Sequence, residues 1–473
     1  MSSSNDAVSR PATAEEVPAK VRRKAVVAAA IGNFVEWFEF ALYGFFASAI
    51  AMNFFPAAAG APSLIATFAA FGVSFVLRPL GALVFGHYGD RMGRRVTLSL
   101  AILGMSVSTF AIGLLPTHAQ VGMLAPVLLV VTRVVQGFSA GGEFGGATAY
   151  MVEYAPANRR AFYGSWQFFT QFLAGFVAAL VGAVLSSTLS GGDLEAWGWR
   201  VPFLLTLPLG LIGLYLRLKM DETPEFRREE ARRKEGQVRT PDKAPLVAVV
   251  REHWTSVLRI VGLLVVGTTA IYMMEAFWPA FLVGQVGIEQ SEMFTAMMIA
   301  IAVKIVLIPL WALWSDRVGR RKPFLVGSAA LLAVSAVPVY QLLLQGEFAT
   351  TVAGYLLLVF AVSPMTGCLA TAMAEAFPAG VRYSALSLAY SIGVSVFGGF
   401  SPLILAALVE YTGSELSPAY YLTGTAVVSL LAALLFRETG TRGRVLPSDD
   451  AEGSVGDGTA AKSTLVDGAE RTA

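Results

Sequence analysis

The sequence predicts an all-α membrane protein with twelve transmembrane helices in two pseudo-symmetric six-helix bundles. Composition is the first reason. Of 473 residues, 55% are hydrophobic and only 14% charged, where soluble domains carry about 25% charged residues. The apolar residues are also gathered into segments near or above the ~20 residues that cross a bilayer. The third reason is an internal echo. Asp90, Arg91, Met92, Gly93, Arg94 and Arg95 return 226 residues later as Asp316, Arg317, Val318, Gly319, Arg320 and Arg321, and the same shift carries Arg78 onto Lys304. An apolar helix ending in a charged turn, used twice, marks a duplicated fold. Two such halves are what an alternating-access carrier needs.

In chain order, residues 1–24 read as a cytoplasmic N-terminal tail whose first part is rich in Ser, Ala, Pro and Glu. Lys20, Arg22, Arg23 and Lys24 then precede an apolar run too long for a signal peptide, so a retained first helix is expected. Apolar segments follow at 25–51, 63–87, 96–116, 122–152, 161–189, 198–218, 256–284, 291–314, 323–344, 350–376, 381–409 and 418–437. Residues 25–218 form the first bundle and 256–437 the second. Between them, 219–255 is a charged loop with Arg and Glu at i,i+4 spacing, which suits a surface helix. Residues 438–473 read as a disordered cytoplasmic tail without heptads. The single cysteine, Cys368, rules out an intrachain disulfide.

Loop charge sets the expected orientation. The turns near 88–95, 154–160, 219–255, 315–322 and 377–382 all hold Lys or Arg, and the opposite turns hold none apart from Arg200 at the start of the sixth helix. The positive-inside rule then places both termini in the cytoplasm of a plasma (inner) membrane protein. A second echo supports the duplication: Glu153, Pro156 and Arg160 return as Glu375, Pro378 and Arg382, 222 residues on.

These residues resemble a known family. The doubled Asp-Arg-x-Gly-Arg-Arg turn is similar to the cytoplasmic signature of the major facilitator superfamily. The runs Gly32 to Gly44, Arg133 to Ala147 and Trp197 to Phe203 resemble its metabolite:proton symporter family. The resemblance covers about residues 25–437 and implies proton-driven uptake of oxoglutarate, citrate, shikimate, or proline and betaine. Arg133 with Gln136 and Gly137 resembles a second signature linked there to proton coupling. Three departures stand out: Phe38 and Glu39 stand where the family usually has Tyr and Asp, and Glu275 and Lys304 each stand where it is usually uncharged.

Seven ionisable residues fall well inside the expected helices: Glu36, Glu39, Arg78, Arg133, Glu143, Glu275 and Lys304. Each costs roughly 2.5–3.5 kcal/mol at the bilayer centre on insertion scales, so partners are expected. Four acids against three bases leave one carboxyl over, and its cheapest buried state is neutral. A carboxyl that loads and unloads a proton is what symport requires. Glu36 and Glu39 share a helix face with Tyr43 one turn on, so the two carboxyls should repel and one should hold a proton; Glu143, nearest the cytoplasm, is either part of the coupling set or simply hydrated. Arg133 either binds a substrate anion or holds Glu36 or Glu39. Lys304 either pairs with Glu275 or serves a substrate carboxylate. Gly141, Gly142, Gly145 and Gly146 read as packing surfaces. Ser384, Ser387, Ser391 and Ser395, with Gln167 and Gln171, read as cavity lining or interhelical glue. His87, His118 and His253 form no metal spacing.

The charged turns, with Glu153 and Glu375, are expected to latch the cytoplasmic side. Asp90 in particular can accept from a helix N-terminus or an arginine. The function expected is proton-coupled symport of a small organic acid, because Arg78, Arg133 and Lys304 supply positive charge. A zwitterion such as proline or betaine is the alternative, and a drug:proton antiporter or a non-transporting sensor are the other classes. No catalytic constellation appears, so an enzyme is not expected. Neither is a cofactor, the proton being the coupling ion. The expected partners are a small-molecule substrate and the lipid bilayer, with no nucleic acid, and the chain is expected to be a monomer.

Overall fold

The computed structural model describes residues 19–55, 61–92, 94–219 and 251–440. Among the described residues twelve helices are long and apolar enough to span a membrane: α1 Arg22–Phe45, α2 Leu64–Phe85, α3 Arg95–Leu114, α4 Leu124–Glu153, α5 Ala157–Thr188, α6 Gly191–Leu218, α7 Trp254–Val286, α8 Gln290–Val318, α9 Lys322–Leu343, α10 Phe348–Glu375, α11 Val381–Thr412 and α12 Ser417–Leu435. The count and order are those the sequence predicts.

Some boundaries differ. The first helix already starts at Ala19, so Lys20 to Lys24 belong to it and not to a tail. The segment expected at 25–51 bends at Phe46, after which a short helix runs Ala47–Phe54. Hydrogen bonds continue through the bend, Phe46 N to Leu42 O and Ile50 N to Phe46 O at 3.0 Å each, so the chain turns without a loop. The sixth span begins at Gly191, ahead of the predicted 198, and includes a π-helical turn over Leu194–Gly198. Residues 438–440 are not a free tail: Glu438 accepts the backbone N–H of Arg321 at 2.7 Å and of Lys322 at 3.3 Å. The expectations for 1–18, 220–250 and 441–473 lie outside the described residues.

The two halves meet along four spans each. α5 lies against α8 and α10, α2 and α4 against α11, and α1 against α7. α3, α6, α9 and α12 pack mainly within their own halves. In α4 the division between lipid and core is visible in the sequence. Leu124, Val127, Val131 and Val135 are exposed, while Leu129, Arg133, Gln136 and Ala140 on the other face are buried. Without water, apolar side chains must meet the lipid and polar ones must find partners inside. The predicted glycine packing is present: a Cβ at Gly141 would strike the backbone of Arg78, and one at Gly145 the backbone of Ser387. Gly137, not among the glycines so read, is as close to the backbone of Ser74. Small residues thus bring α4 onto α2 at backbone contact.

Candidate functional site

α1 supplies the first functional stripe. Glu36, Glu39 and Tyr43 are all at most 1% exposed. The two carboxylates take different partners. Glu36 Oε1 is in direct contact with Arg78 Nη2 from α2. Glu39 turns to α3, accepting from Ser106 Oγ at 2.6 Å and Thr109 Oγ1 at 2.8 Å. Tyr43 donates to Thr67 O at 3.2 Å.

Arg133 reaches neither acid directly. It donates to Gln136 Oε1 and to Ser74 Oγ at 2.9 Å, and its guanidinium lies 4.2 Å from the centre of the Tyr43 ring. Gln136 Nε2 in turn donates to Thr109 Oγ1 at 2.6 Å. A relay therefore runs Arg133, Gln136, Thr109, Glu39. The Thr109 hydroxyl has a second acceptor, Met105 O at 3.0 Å. It can serve an ionised Glu39, or turn away from a neutral one.

Glu143 is held by a residue that the sequence reading did not count. Arg217, near the end of α6, donates through Nη1 to Glu143 Oε2 at 2.8 Å and to Leu98 O at 3.0 Å, with Nη2 against Oε1. Glu143 is fully buried and ion-paired, so the reading of a hydrated acid is corrected.

In the second half, Glu275 sits in a π-helical turn, Met273–Phe277, of α7. Such turns are frequent at functional sites. Lys304 on α8 is 1% exposed, with Nζ 3.6 Å from the centre of the Phe172 ring. Among the described residues no ion-pair contact joins Glu275 to Lys304, although each is the charge that acts on the other. Glu275 Oε1 has no hydrogen-bond partner and stands 3.2 Å from where a Gly175 Cβ would be. Phe172 and Gly175 are one turn apart on α5, so both of these second-half residues rest on the first half.

The second charged turn joins the halves. Asp316 accepts from the backbone N–H of Ala161 at 3.0 Å and of Phe162 at 2.9 Å. It thereby caps the start of α5, where a carboxylate also meets the positive end of the helix dipole. Arg321 braces Asp316 at 2.9 Å and reaches Glu375 at 3.4 Å. Burial alone lowers the pKa of Arg321, but Glu375 and Asp316 outweigh it and hold it above the ordinary value, so the charge persists. Arg382 donates to Glu153 at 3.3 Å across the interface. Gly319 adopts φ 70°, the left-handed end of α8 that glycine permits. Arg317 and Arg320 are exposed, as is Arg95 in the first turn. The side chains of Asp90, Arg91 and Arg94, and the whole of Gly93, lie outside what the structure describes.

The family model for sugar (and other) transporters matches residues 25–442. The chain belongs to that family. This transporter is 39% identical over 451 residues to the proline/betaine transporter of Escherichia coli (strain K12), covering 94% of this chain and 88% of that one. It is also 39% identical over 426 residues to the glycine betaine/proline/ectoine/pipecolic acid transporter OusA of Dickeya dadantii, covering 89% and 84%. Among solved structures, the major facilitator superfamily proton:xylose symporter XylE matches with a TM-score of 0.73 at 16% identity, over 91% of this chain and 98% of that one. That likeness shows a shared fold.

Within the transporter, Glu36, Glu39, Tyr43, Arg78, Arg133, Gln136 and Glu143 of the first half are all buried, though not in the expected pairs. The arithmetic of four acids against three bases is overturned by Arg217. Its signal was present: Gly210, Gly213 and Arg217 are all buried on one helical face, which an arginine marking only the membrane edge would not require. Asn33 was also missed. It bonds Gln167 O at 2.7 Å and Thr170 Oγ1 at 2.8 Å and accepts from Gln167 Nε2 at 2.6 Å. Gln167 is therefore glue between α1 and α5, whereas both amide atoms of buried Gln171 have no partner. Two of the four predicted serines of α11 act as glue too, Ser395 donating to Phe75 O at 2.5 Å and Ser391 to Gly141 O at 3.5 Å, whereas buried Ser387 Oγ has no hydrogen-bond partner.

Proposed function

We propose that this transporter takes up a small zwitterionic compatible solute of the proline or betaine class together with protons. The buried charge balance carries the reading. Glu36, Glu39, Glu143 and Glu275 are matched by Arg78, Arg133, Arg217 and Lys304, all at most 6% exposed. Arg78, Arg133 and Lys304, whose positive charge favoured an organic acid, together with Arg217 only equal the four buried acids in number, and so leave no net positive charge for an anion. A balanced interior suits a solute of zero net charge, since an unmatched charge in this medium is expensive. The relatives named as proline/betaine transporters support the same solute class.

Glu39 is the proton carrier in this proposal. Glu36 and Glu143 are committed to arginines, while Glu39 is held by hydroxyls, one of which has an alternative acceptor. Removing or adding its proton therefore breaks no ion pair. The charged turns face the cytoplasm of the inner membrane by the positive-inside rule, and the contact of Asp316 with α5, together with Arg382 of α11 on Glu153 of α4, forms the inner gate. The protein is expected to act as a monomer, the coupling ion being the proton.

The experiment is accumulation by proteoliposomes, acidic outside, of labelled glycine betaine, proline and oxoglutarate. Both zwitterions should accumulate above the no-gradient level. Accumulation of oxoglutarate alone would return the function to organic acid uptake, and outward flux driven by inward protons would make it an antiporter.

A further inference from the structure

We propose that the Glu36–Arg78 pair is the docking dipole for the solute, and that the rings around it receive the solute's ammonium end. This rests on the zwitterion reading above and adds the place where the solute binds.

The pair is only half used. Glu36 Oε1 and Arg78 Nη2 meet, but Glu36 Oε2 and Arg78 Nη1 are buried without a hydrogen-bond partner. Trp37 Nε1 and Tyr272 OH, at 3% and 4% residue exposure, are also unpartnered. Native interiors leave few such atoms unpaired, and each costs about 1–3 kcal/mol, more if charged. Four of them in neighbouring side chains call for a polar guest. They come from α1, α2 and α7, and thus from both halves. The Tyr272 ring lies 6.2 Å from that of Trp37 and 5.4 Å from that of Phe75.

These rings already surround a cation. The Arg78 guanidinium carbon stands 5.0 Å from the Phe40 centroid, 5.4 Å from Phe75 and 5.9 Å from both Trp37 and Tyr390. A zwitterion laid antiparallel to the pair gives its carboxylate to Nη1 and brings its ammonium beside Oε2, so that four charges alternate. A secondary ammonium can donate to Oε2. A quaternary one cannot, but the carboxylate charge and the ring faces attract it without any donor. One site therefore accepts both kinds of head. A cation without a carboxylate leaves Nη1 unpaired, and an anion without an ammonium leaves Oε2 unpaired, which is how the site would reject each.

The test is counterflow of labelled glycine betaine and of labelled proline by the full chain in proteoliposomes. It needs no proton gradient and so is separate from coupling. Unlabelled betaine and proline should compete, while choline and 3,3-dimethylbutyrate should compete about ten-fold less well or worse. Arg78→Gln and Glu36→Gln should each raise the half-saturation concentration about thirty-fold, as expected for one charge-assisted hydrogen bond. Trp37→Leu keeps both charges. It should weaken betaine by about ten-fold and proline by less, because only the quaternary head depends wholly on ring faces and the carboxylate charge. That change in the betaine-to-proline ratio is one a merely structural defect would not produce. If the charge variants fail to fold, Trp37→Leu decides. Apparent affinities within about two-fold of wild type in Trp37→Leu, or wild-type exchange by Arg78→Gln, overturn the site while leaving the solute class standing. Failure of the wild type to exchange either zwitterion overturns both.

Discussion

The buried charges of the two halves begin from equivalent places in the repeat and end differently. Arg78 and Lys304 are related by the 226-residue shift, and each is 1% exposed. Arg78 touches Glu36 and lies among four rings. Lys304 lies over one ring, Phe172 of the opposite half, and the nearby Glu275 keeps an unpartnered oxygen. Arginine's planar fork can bond a carboxylate with one nitrogen and still offer another, whereas lysine is a point charge on a flexible stem. The first half therefore carries fixed, directional pairs. The second carries two charges that do not touch and whose surroundings include α5, so any separation of the halves changes their setting.

That contrast is broken most severely at Glu143–Arg217. Removing one partner, as in Arg217→Ala, should cost about 3–5 kcal/mol of stability by leaving a buried charge uncompensated. Thermal unfolding in detergent should show it, and Glu143→Gln with Arg217→Met should recover most of the loss. Equal stability of Arg217→Ala and wild type would mean that the pair is not dry. Glu39→Gln comes next and targets function. Accumulation driven by a pH gradient should fall to the no-gradient level while exchange survives, and normal accumulation would move the proton elsewhere.

The two second-half charges should respond more mildly. Lys304→Ala should slow transport about ten-fold, the effect of roughly 1.4 kcal/mol on a barrier, and Glu275→Ala added to it should restore part of the rate. A double variant as slow as the single one would favour direct contact of Lys304 with solute, and an unimpaired Lys304→Ala would exclude both roles. At the gate, Asp316→Asn weakens the cap on α5 and should raise cysteine labelling of the inner side near Ala161, with solute preference unchanged. Unaltered labelling would reduce the turn to a topology signal. The smallest effect belongs to Arg320→Ala. Its ion pair with Glu438 spans 3.6 Å at 62% exposure of the arginine, so its loss should change stability by less than about 1 kcal/mol. A larger loss would show that residues 437–440 anchor the turn through this side chain.

Much of this was legible because lipid imposes simple rules on sequence. Hydrophobic length predicted the twelve spans, and the repeated turns predicted two halves. The helix N-terminus or arginine expected for Asp90 lies outside the described residues, but its repeat, Asp316, has both. Pairing was less legible. Arg217 lies close enough to the end of α6 to read as a boundary residue, and only its place on a glycine face betrayed it. Glu36 and Glu39 share a helix face in projection, yet one side chain turns to α2 and the other to α3. A separation of three residues leaves rotamer freedom enough for two neighbours to serve different helices.

The sequence by itself determined the medium, the number of crossings, the duplication and the residues too costly to bury without purpose. All of these follow from hydropathy, periodicity and charge counted along one chain. Which acid meets which base was decided only in three dimensions. Glu143 meets Arg217 across 74 residues, and Tyr390 of the second half completes the ring surface around Arg78 of the first. Such contacts depend on how closely small residues let the helices approach and on which rotamer reaches a partner, and neither is written in the spacing of residues along the chain.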